Sequence, residues 1–299
     1  MMDLNENSIN LWHPLDIFSA HFDKTKHITA LVVLNQPITK ENESKLVQLW
    51  KNSTVKFCVD GGTNRLYDWC QEKGLDYVPD YICGDLDSIN DSILDHYLSK
   101  GAKCVRLSDQ DFNDFTKTLR FAINFIKYGL VNEEEADSWY SSLKQKKFEH
   151  VQIEQIYCFC DFTGRLDHAL ANLSTLYDEC LKRVNTYLIS SESITFLLRK
   201  GENLIYLNDD EEKVLGKYCG FFPLAKSALV TTRGLKYNLN KQTLKFGLFV
   251  SSSNEFDFSK EQNLLISENN CNMLDFKTNK NKQLFIETDE ELLWTMSIN

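Results

Sequence analysis

The chain has 299 residues and a formal net charge of −10, with 43 acidic residues against 33 Lys and Arg. This length favours one large or two ordinary domains and is sufficient to bury a hydrophobic core. Because the chain is acidic and no basic cluster is interleaved with aromatic residues, nucleic acid is excluded as an expected partner.

Cysteine usage and hydropathy indicate the compartment. The nine cysteines are scattered, odd in number and contain no Cys-x-x-Cys pair, which is typical of a reduced intracellular protein. The longest aliphatic run, Ala30 to Leu34, is far too short to cross a bilayer, and the first residues lack the apolar segment of a signal peptide. We therefore expect a cytoplasmic protein with no membrane partner.

The first two thirds of the chain alternate between strand and helix patterns. Residues 1–26 are polar with isolated apolar anchors and are predicted to be an arm packed onto a domain. From 27 to 192, short apolar runs alternate with helical periodicity, which predicts an α/β domain with a mainly parallel sheet of about six strands. Residues 131–150, acidic at one end and basic at the other, indicate a solvated insertion. The last helix of this domain is predicted near 166–181.

Residues 193–299 have a different pattern, in which short β-rich runs are separated by turn residues and no helical segment is convincing. This pattern predicts a second, all-β domain, a sandwich. The predicted strands are 194–198, 204–207, 229–232, 244–250, 264–266 and 284–286.

The segment 84–88 carries two carboxylates at the end of a predicted strand. Because strand side chains alternate, Asp85 and Asp87 are expected on the same side, where they can hold a divalent cation. Ser88, with Asp91 three residues later, has the spacing of a helix-capping box. In open α/β sheets ligands bind at the carboxyl ends of strands, which favours a site here. The alternative is that Asp87 and Ser88 only cap a helix while Asp85 is solvated.

Two further strand ends carry similar chemistry. Asp60 precedes two glycines that could bring backbone N–H groups to a phosphate, and its carboxylate could reach a metal; a plain Gly-Gly turn is the alternative. Asn113 is predicted to cap a helix whose first turn holds Asp114 and Lys117 on one face. These two residues supply either a third metal carboxylate with a cation for phosphate, or a dipole-favourable cap with a surface ion pair.

A fourth segment, 163–168, places Arg165 where it could clamp a phosphate and Asp167 where it could orient a substrate donor, or the two form a solvated pair. His168 is expected to be structural. The chain has no Walker loop, dinucleotide-binding fingerprint, kinase catalytic motif, nucleophile elbow or zinc pair. A carboxylate-rich site with one or two basic groups suits Mg²⁺ and a polyphosphate substrate.

Taken in order, these segments resemble the thiamine pyrophosphokinase family. The matching motifs are Asp60-Gly61-Gly62-Thr63-Asn64-Arg65-Leu66-Tyr67-Asp68, Gly84-Asp85-Leu86-Asp87-Ser88, Asp109-Gln110-Asp111-Phe112-Asn113-Asp114-Phe115, Gly164-Arg165-Leu166-Asp167-His168 and Gly234-Leu235-Lys236-Tyr237-Asn238-Leu239. Phe246-Gly247, Ser251-Ser252-Ser253-Asn254 and Leu293-Trp294-Thr295-Met296 extend the resemblance over roughly residues 28–299.

The resemblance implies an α/β domain, a C-terminal β-sandwich and a homodimer whose active sites combine the first domain of one subunit with the sandwich of the other. It implies transfer of the diphosphate of ATP to the hydroxyethyl oxygen of thiamine, with release of AMP. Matching positions assign Mg²⁺ and the diphosphate to Asp60, Asp85, Asp87 and Asp114, the substrates to Gln110 and Asp167, the phosphates to Arg165, and the thiamine pocket to Tyr237, Ser253 and Asn254. A carboxylate among Asp85, Asp87 and Asp114 is also a candidate to accept the thiamine hydroxyl proton.

Three departures from the family pattern define the alternatives. Tyr237 replaces a usual Trp and offers less stacking area, Cys160 and Asp161 replace two glycines, and Asn113 replaces a Thr while keeping capping ability. Cys160, Asp161 and Tyr237 motivate a second hypothesis, a thiamine- or nucleotide-binding regulator that kept the fold and lost catalysis. A third is a metal-dependent polyphosphate hydrolase that uses water as acceptor.

Overall fold

The computed structural model describes residues 9–128, 153–207, 214–258 and 282–299. The chain divides into two compact units, Asp23–Ser191 and a second unit that joins the chain up to Phe22 to Glu192–Asn299. The short strand β1, Asn10–Trp12, thus belongs to the second unit, although the sequence suggested only a packed arm there. The predicted insertion 131–150 and the predicted strand 264–266 lie outside the described residues.

In the first unit, strands and helices alternate along the chain. Its elements are β2 Thr29–Val33, α1 Glu43–Asn52, β3 Val55–Val59, α2 Gly62–Lys73, β4 Tyr81–Gly84, α3 Asp91–Ser99, β5 Lys103–Arg106, α4 Asp114–Tyr128, β6 Gln155–Phe159, α5 Leu166–Thr175, a 3₁₀ helix Glu179–Arg183 and β7 Asn185–Ile189.

Six parallel strands form the sheet of this unit, in the order β7-β6-β2-β3-β4-β5. From β2 the chain adds β3, β4 and β5 on one side and then β6 and β7 on the other, so the order reverses beside β2. Every residue of β2 is buried, as expected for a parallel strand covered on both faces. The predicted α/β domain with about six parallel strands is confirmed.

Aromatic packing fixes helix α4 on the sheet. The ring centroid of Phe121, on α4, lies 6.3 Å from that of Phe57 on β3 and 6.0 Å from that of Tyr81 on β4. Phe57 and Tyr81 stack on each other with centroids 5.3 Å apart. Burial of each such ring contributes roughly 2–3 kcal/mol, so α4 is held against β3 and β4.

The second unit is built from β-strands. After β1 these are β8 Ser193–Leu198, β9 Gly201–Tyr206, β10 Leu215–Phe222, β11 Ala228–Arg233, β12 Gln242–Leu244, β13 Ser251–Glu255, β14 Gln283–Thr288 and β15 Leu292–Ile298. They form the strand sets β13-β10-β15-β8 and β1-β9-β14-β11-β12.

Buried aromatic rings join the two strand sets of this unit. Trp12 on β1 lies 4.9 Å, between ring centroids, from Phe196 on β8, and its indole N–H donates to Asn203 Oδ1 on β9 at 2.9 Å. Within the set β13-β10-β15-β8, Trp294 on β15 packs against Phe221 on β10 with centroids 4.7 Å apart. The predicted all-β sandwich is confirmed, because the buried ring of Trp12 packs one strand set against the other.

Two predicted elements differ from the observed ones, and some observed strands were not predicted. The expected strand 244–250 ends at Leu244, because the backbone carbonyl of Lys245 accepts from both Leu248 N and Phe249 N and closes a tight turn. The expected helix 166–181 ends at Thr175, and Asp178 then caps the 3₁₀ helix by accepting from Cys180 N at 2.9 Å. Strands β10, β13 and β15 were not predicted.

Within the described part of the chain, none of the helices combines the length and apolar character needed to span a membrane.

Candidate metal centre

Three carboxylates from different segments meet at one edge of the parallel sheet. Asp60 follows β3, Asp85 follows β4, and Asp114 begins α4 after β5. One oxygen from each lies within 4.8 Å of the others. We call these three residues the carboxylate triad. Three hard oxygen ligands in this arrangement fit Mg²⁺, which is bound through a few carboxylates together with phosphate oxygens and water.

The triad can form only because Gly84 has no side chain. Gly84 has φ +146°, and a Cβ atom placed on it would lie 2.9 Å from Asp60 Cβ and 3.3 Å from Asp114 Oδ1. Asp60 and Leu86 themselves have positive φ values of 41° and 66°, which are uncommon for residues other than glycine. Backbone strain is thus concentrated around the triad, as is frequent at functional sites.

Asp60 is the most buried member of the triad. It is 6% exposed, and its Oδ1 accepts from Ser88 N at 3.2 Å. Burial raises the pKa of the Asp60 carboxyl above its ordinary value and the nearby charge of Asp114 adds to this, while hydrogen bonds from Ser88 and Gly61 act in the opposite direction. A bound cation would favour the ionised form of Asp60.

Lys117 lies one turn after Asp114 and is 1% exposed. Its Nζ lies 2.6 Å from Asp114 Oδ1 and 3.6 Å from Asp85 Oδ2, and it donates to Leu107 O at 2.9 Å. Asp85 N also donates to Asp114 Oδ1, at 3.0 Å. The ammonium group is therefore directed at protein oxygens and at the triad.

The two predicted helix caps have different outcomes. Asn113 Oδ1 accepts from Thr116 N at 2.7 Å, so Asn113 caps α4 as expected and fixes the turn that carries Asp114. The Ser88 capping box is wrong: α3 begins after Asn90, which makes no side-chain cap bond. Ser88 Oγ instead donates to Asp87 Oδ1 at 2.8 Å.

Two of the predicted site residues lie outside the triad. Asp87 is exposed, and its carboxylate is held by Ser88. Gln110 is exposed, and its amide donates to Ser108 O at 3.2 Å. The structure does not bring either side chain into the group of three carboxylates, and their assigned roles stay predictions.

Arg165 and Asp167 form an exposed ion pair at the start of α5. Their side chains are 69% and 62% exposed, and Arg165 Nε donates to Asp167 Oδ1 at 3.1 Å. This geometry is the solvated pair that the sequence left open. It also leaves the guanidinium group accessible to an anionic ligand.

The loop before Arg165 has an ordinary backbone conformation at Cys160 and Asp161, the two positions where the family that the chain resembles usually has glycine. Neither Cys160 nor Asp161 has a positive φ, whereas Gly164 has φ +86°. Asp161 is buried and accepts from Phe162 N at 2.7 Å. The two replacements therefore fit an ordinary backbone, and the conformational freedom of glycine is used at Gly164 instead.

Sequence reasoning missed Asn35 and gave Asn64 no role. Asn64 Nδ2 donates to Ser88 O at 2.8 Å and its Oδ1 accepts from Asn90 N at 3.0 Å, tying α2 to the loop after β4. Asn35 Oδ1 accepts from Arg65 Nε at 3.2 Å. The position of Asn35 in the chain could have identified it. Asn35 is a polar residue just after the buried strand β2, where the strand order reverses and ligands commonly bind.

In the second unit, Asn254 holds the backbone of Tyr237. Its Nδ2 donates to Tyr237 O at 2.9 Å and its Oδ1 accepts from Tyr237 N at 3.2 Å. Asn254 is 3% exposed and Tyr237 is 61% exposed, so the amide is used within the unit while the ring faces outward. Ser253, also exposed, has φ +56°.

Comparison with known proteins identifies the family. The model for the catalytic domain of thiamin pyrophosphokinase matches residues 46–188, and the model for its vitamin B1 binding domain matches 202–264. Thiamine pyrophosphokinase 1 of Arabidopsis thaliana is 31% identical over 281 residues, which cover 90% of this chain and 86% of that protein. The chain belongs to the thiamine pyrophosphokinase family.

Further thiamine pyrophosphokinases support this assignment. The Saccharomyces cerevisiae protein is 27% identical over 254 residues, covering 76% of this chain and 79% of its own. The solved structure of thiamin pyrophosphokinase from Candida albicans has a TM-score of 0.74 at 26% identity, covering 97% of this chain and 93% of that one. The resemblance inferred from the motifs is confirmed. The triad lies in the segment matched to the catalytic domain of thiamine pyrophosphokinases, and Tyr237, Ser253 and Asn254 lie in the segment matched to the vitamin B1 binding domain.

Proposed function

We propose that this protein is an active thiamine pyrophosphokinase, which transfers the diphosphate of ATP to the hydroxyethyl oxygen of thiamine and releases AMP. One observation carries the proposal: the carboxylate triad is intact in the segment that matches the family's catalytic domain. A regulator that had lost catalysis would not need to keep three carboxylates within 4.8 Å of one another, since their mutual repulsion is costly without a cation.

Asp60, Asp85 and Asp114 would hold Mg²⁺, and Asp87 is proposed to assist at the exposed edge of the site. When bound, Mg²⁺ would neutralise charge on the phosphate oxygens. The carboxylate of Asp87 is exposed, and the hydroxyl of Ser88 donates to it at 2.8 Å. Asp85, Asp87 and Asp114 remain the candidates to accept the thiamine hydroxyl proton.

Arg165, Gln110 and Asp167 are proposed to bind the substrates. The exposed guanidinium of Arg165 can exchange the carboxylate of Asp167 for phosphate oxygens, which it can bind through two N–H groups. Asp167 would then be free to accept a hydrogen bond from a substrate donor. Gln110 offers an exposed amide close in sequence to the cap of α4.

For thiamine, we propose Tyr237 as the aromatic platform, with Ser253 beside it and Asn254 as its support. The Tyr237 ring is 61% exposed while Asn254 fixes its backbone, an arrangement that suits stacking on a flat heterocycle. Under the resemblance, each such pocket completes the active site of the other subunit in a homodimer.

Exposed apolar side chains support the proposed homodimer. In the turn after β12, Phe246 is 63% exposed, Leu248 81% and Phe249 45%. Clusters of large exposed apolar residues mark interaction sites more often than free surface. We also propose a cytoplasmic location, which the eight described cysteines support because all of them are free.

The deciding experiment incubates purified protein with ATP, Mg²⁺ and thiamine and measures AMP and thiamine diphosphate by chromatography. We expect the two products in equal amounts, and neither when thiamine or Mg²⁺ is left out. Tight thiamine binding by calorimetry without either product would support the regulator instead. Release of phosphate from ATP in the absence of thiamine would support the hydrolase.

A further inference from the structure

Among the described residues, Lys117 is the one cation that forms an ion pair with the carboxylates of the triad, while Arg106 donates to the backbone oxygen of Asp85 at 3.2 Å. The sequence suggested that Lys117 binds phosphate. We propose a different role: Lys117 is a positioning residue, a resident counter-ion that holds Asp85 and Asp114 in place and does not itself contact phosphate. This inference rests on the proposed function for its catalytic consequence, but not for its effect on metal binding.

Protein oxygens already surround the ammonium group of Lys117. A lysine ammonium has three N–H donors. Three protein oxygens surround Lys117 Nζ, namely Asp114 Oδ1 at 2.6 Å, Leu107 O at 2.9 Å and Asp85 Oδ2 at 3.6 Å. With the side chain 1% exposed, a phosphate could reach the ammonium only after displacing one of these partners.

The backbone fixes the position of Lys117 relative to the carboxylates of Asp85 and Asp114. Lys117 and Asp114 lie three residues apart on α4, and Lys117 N donates to Asn113 O at 3.0 Å within the first turn of that helix. Asp85 N donates to Asp114 Oδ1 at 3.0 Å. Lys117 and Asp85 therefore converge on the same carboxylate, and the ammonium joins the loop after β4 to the start of α4.

The positive charge of Lys117 acts on the repulsion among the three carboxylates. Three carboxylates whose oxygens lie within 4.8 Å repel one another, and one ammonium in contact with two of them offsets part of this repulsion. Three carboxylates and one ammonium leave two negative charges, the charge that a single divalent cation neutralises. Lys117 thus keeps the triad assembled before the cation arrives, while its positive charge opposes the cation once it is bound.

The test compares Lys117→Met with Lys117→Arg and with the matched control Lys73→Met. Lys73 forms another lysine–carboxylate pair in the same unit, with Glu43 at 2.8 Å, at the far end of α2 from Asp60. Calorimetry with Mg²⁺ alone measures metal affinity, and the thiamine-dependent assay measures kcat and the KM for ATP.

We expect Lys117→Met to bind Mg²⁺ more tightly, on the order of tenfold, because a like charge beside the cation is removed. We expect its kcat to fall strongly with little change in the KM for ATP, since the carboxylates are no longer held. Lys117→Arg keeps the charge and should retain an Mg²⁺ affinity close to that of the natural protein, and Lys73→Met should change neither quantity.

Unchanged or weaker Mg²⁺ affinity in Lys117→Met, or a loss confined to the KM for ATP, would overturn the inference. If Lys117→Met does not fold, the double variant Asp114→Asn with Lys117→Met is expected to recover the fold, because the neutral amide no longer needs the counter-ion. No recovery would also count against it. If the natural protein makes no thiamine diphosphate but the difference in Mg²⁺ affinity holds, the proposed function fails and the role of Lys117 stands.

Discussion

At the scale of single residues, the site depends on Asp85. Its carboxylate is part of the triad, and its backbone N–H donates to the carboxylate of Asp114. We predict that Asp85→Asn lowers turnover by at least about 100-fold, since a metal-binding charge is removed with almost no change in volume. Circular dichroism should show an intact fold.

The control for this prediction is Asp91→Asn, which alters an exposed carboxylate in the first turn of α3. Its turnover should stay near that of the natural protein. Turnover by Asp85→Asn comparable to the control would remove Asp85 from the mechanism.

Gly84 permits a second test at the same scale. Gly84→Ala combines an unfavourable φ of +146° with a Cβ that meets Asp60 Cβ at 2.9 Å, so we expect a loss of roughly 2–4 kcal/mol in unfolding free energy and a displaced triad. Gly74→Ala has a positive φ of 65° but open space around the new Cβ, and should cost about 1 kcal/mol. Denaturant unfolding of both variants measures the difference. Equal losses would show that the close approach to Asp60 does not matter.

At the scale of elements, helix α4 sets the positions of Asp114 and Lys117, and Asn113 starts this helix. Asn113→Ala removes the acceptor for Thr116 N, so we predict a loss of about 1 kcal/mol in stability and a drop in turnover. Asn113→Thr, which restores the residue usual in the family, should keep most of both. Stability and turnover of Asn113→Ala equal to those of Asn113→Thr would show that the cap is dispensable.

The loop after β4 shows why element boundaries decide which side chains meet. Alternation of side chains holds only inside a strand, and β4 ends at Gly84. Leu86 then has φ +66°, which turns the chain out of the extended conformation. Asp87 therefore does not lie beside Asp85 in the triad, although two-residue spacing in a continuing strand would have placed it there.

At the scale of the whole molecule, the two units contain different parts of the proposed site. The triad belongs to the first unit, and Tyr237 with its support Asn254 belongs to the second. A homodimer with shared sites predicts that Asp85→Asn and Tyr237→Ala, each inactive or weak alone, regain activity when unfolded and refolded together. In a mixed dimer one active site receives both unaltered residues.

The measurement is the thiamine-dependent release of AMP from the refolded mixture, with each variant refolded alone as the control. Activity of the mixture no higher than the sum of the separate variants would indicate sites contained within one subunit. Size-exclusion chromatography of the same samples should show that dimers have formed.

The sequence by itself determined the two classes of fold, because periodicity depends only on neighbouring residues: buried parallel strands appear as apolar runs such as Thr29–Val33, and helices as a repeat of three to four residues. It was less informative for β10, where Gly216, Lys217 and Gly220 interrupt the apolar pattern. Pairing with β13 and β15 stabilises that strand, and such long-range pairing leaves no local signal.

The motifs also located Asp60, Asp85 and Asp114 and the family to which they belong. Only the tertiary structure decided that these three carboxylates, without Asp87, come within 4.8 Å of one another, since their distance depends on strand order and on the conformation of Gly84. It likewise decided that Lys117 is buried against the triad. A sequence shows that a charge is present, but only the packed chain determines which oxygens surround it.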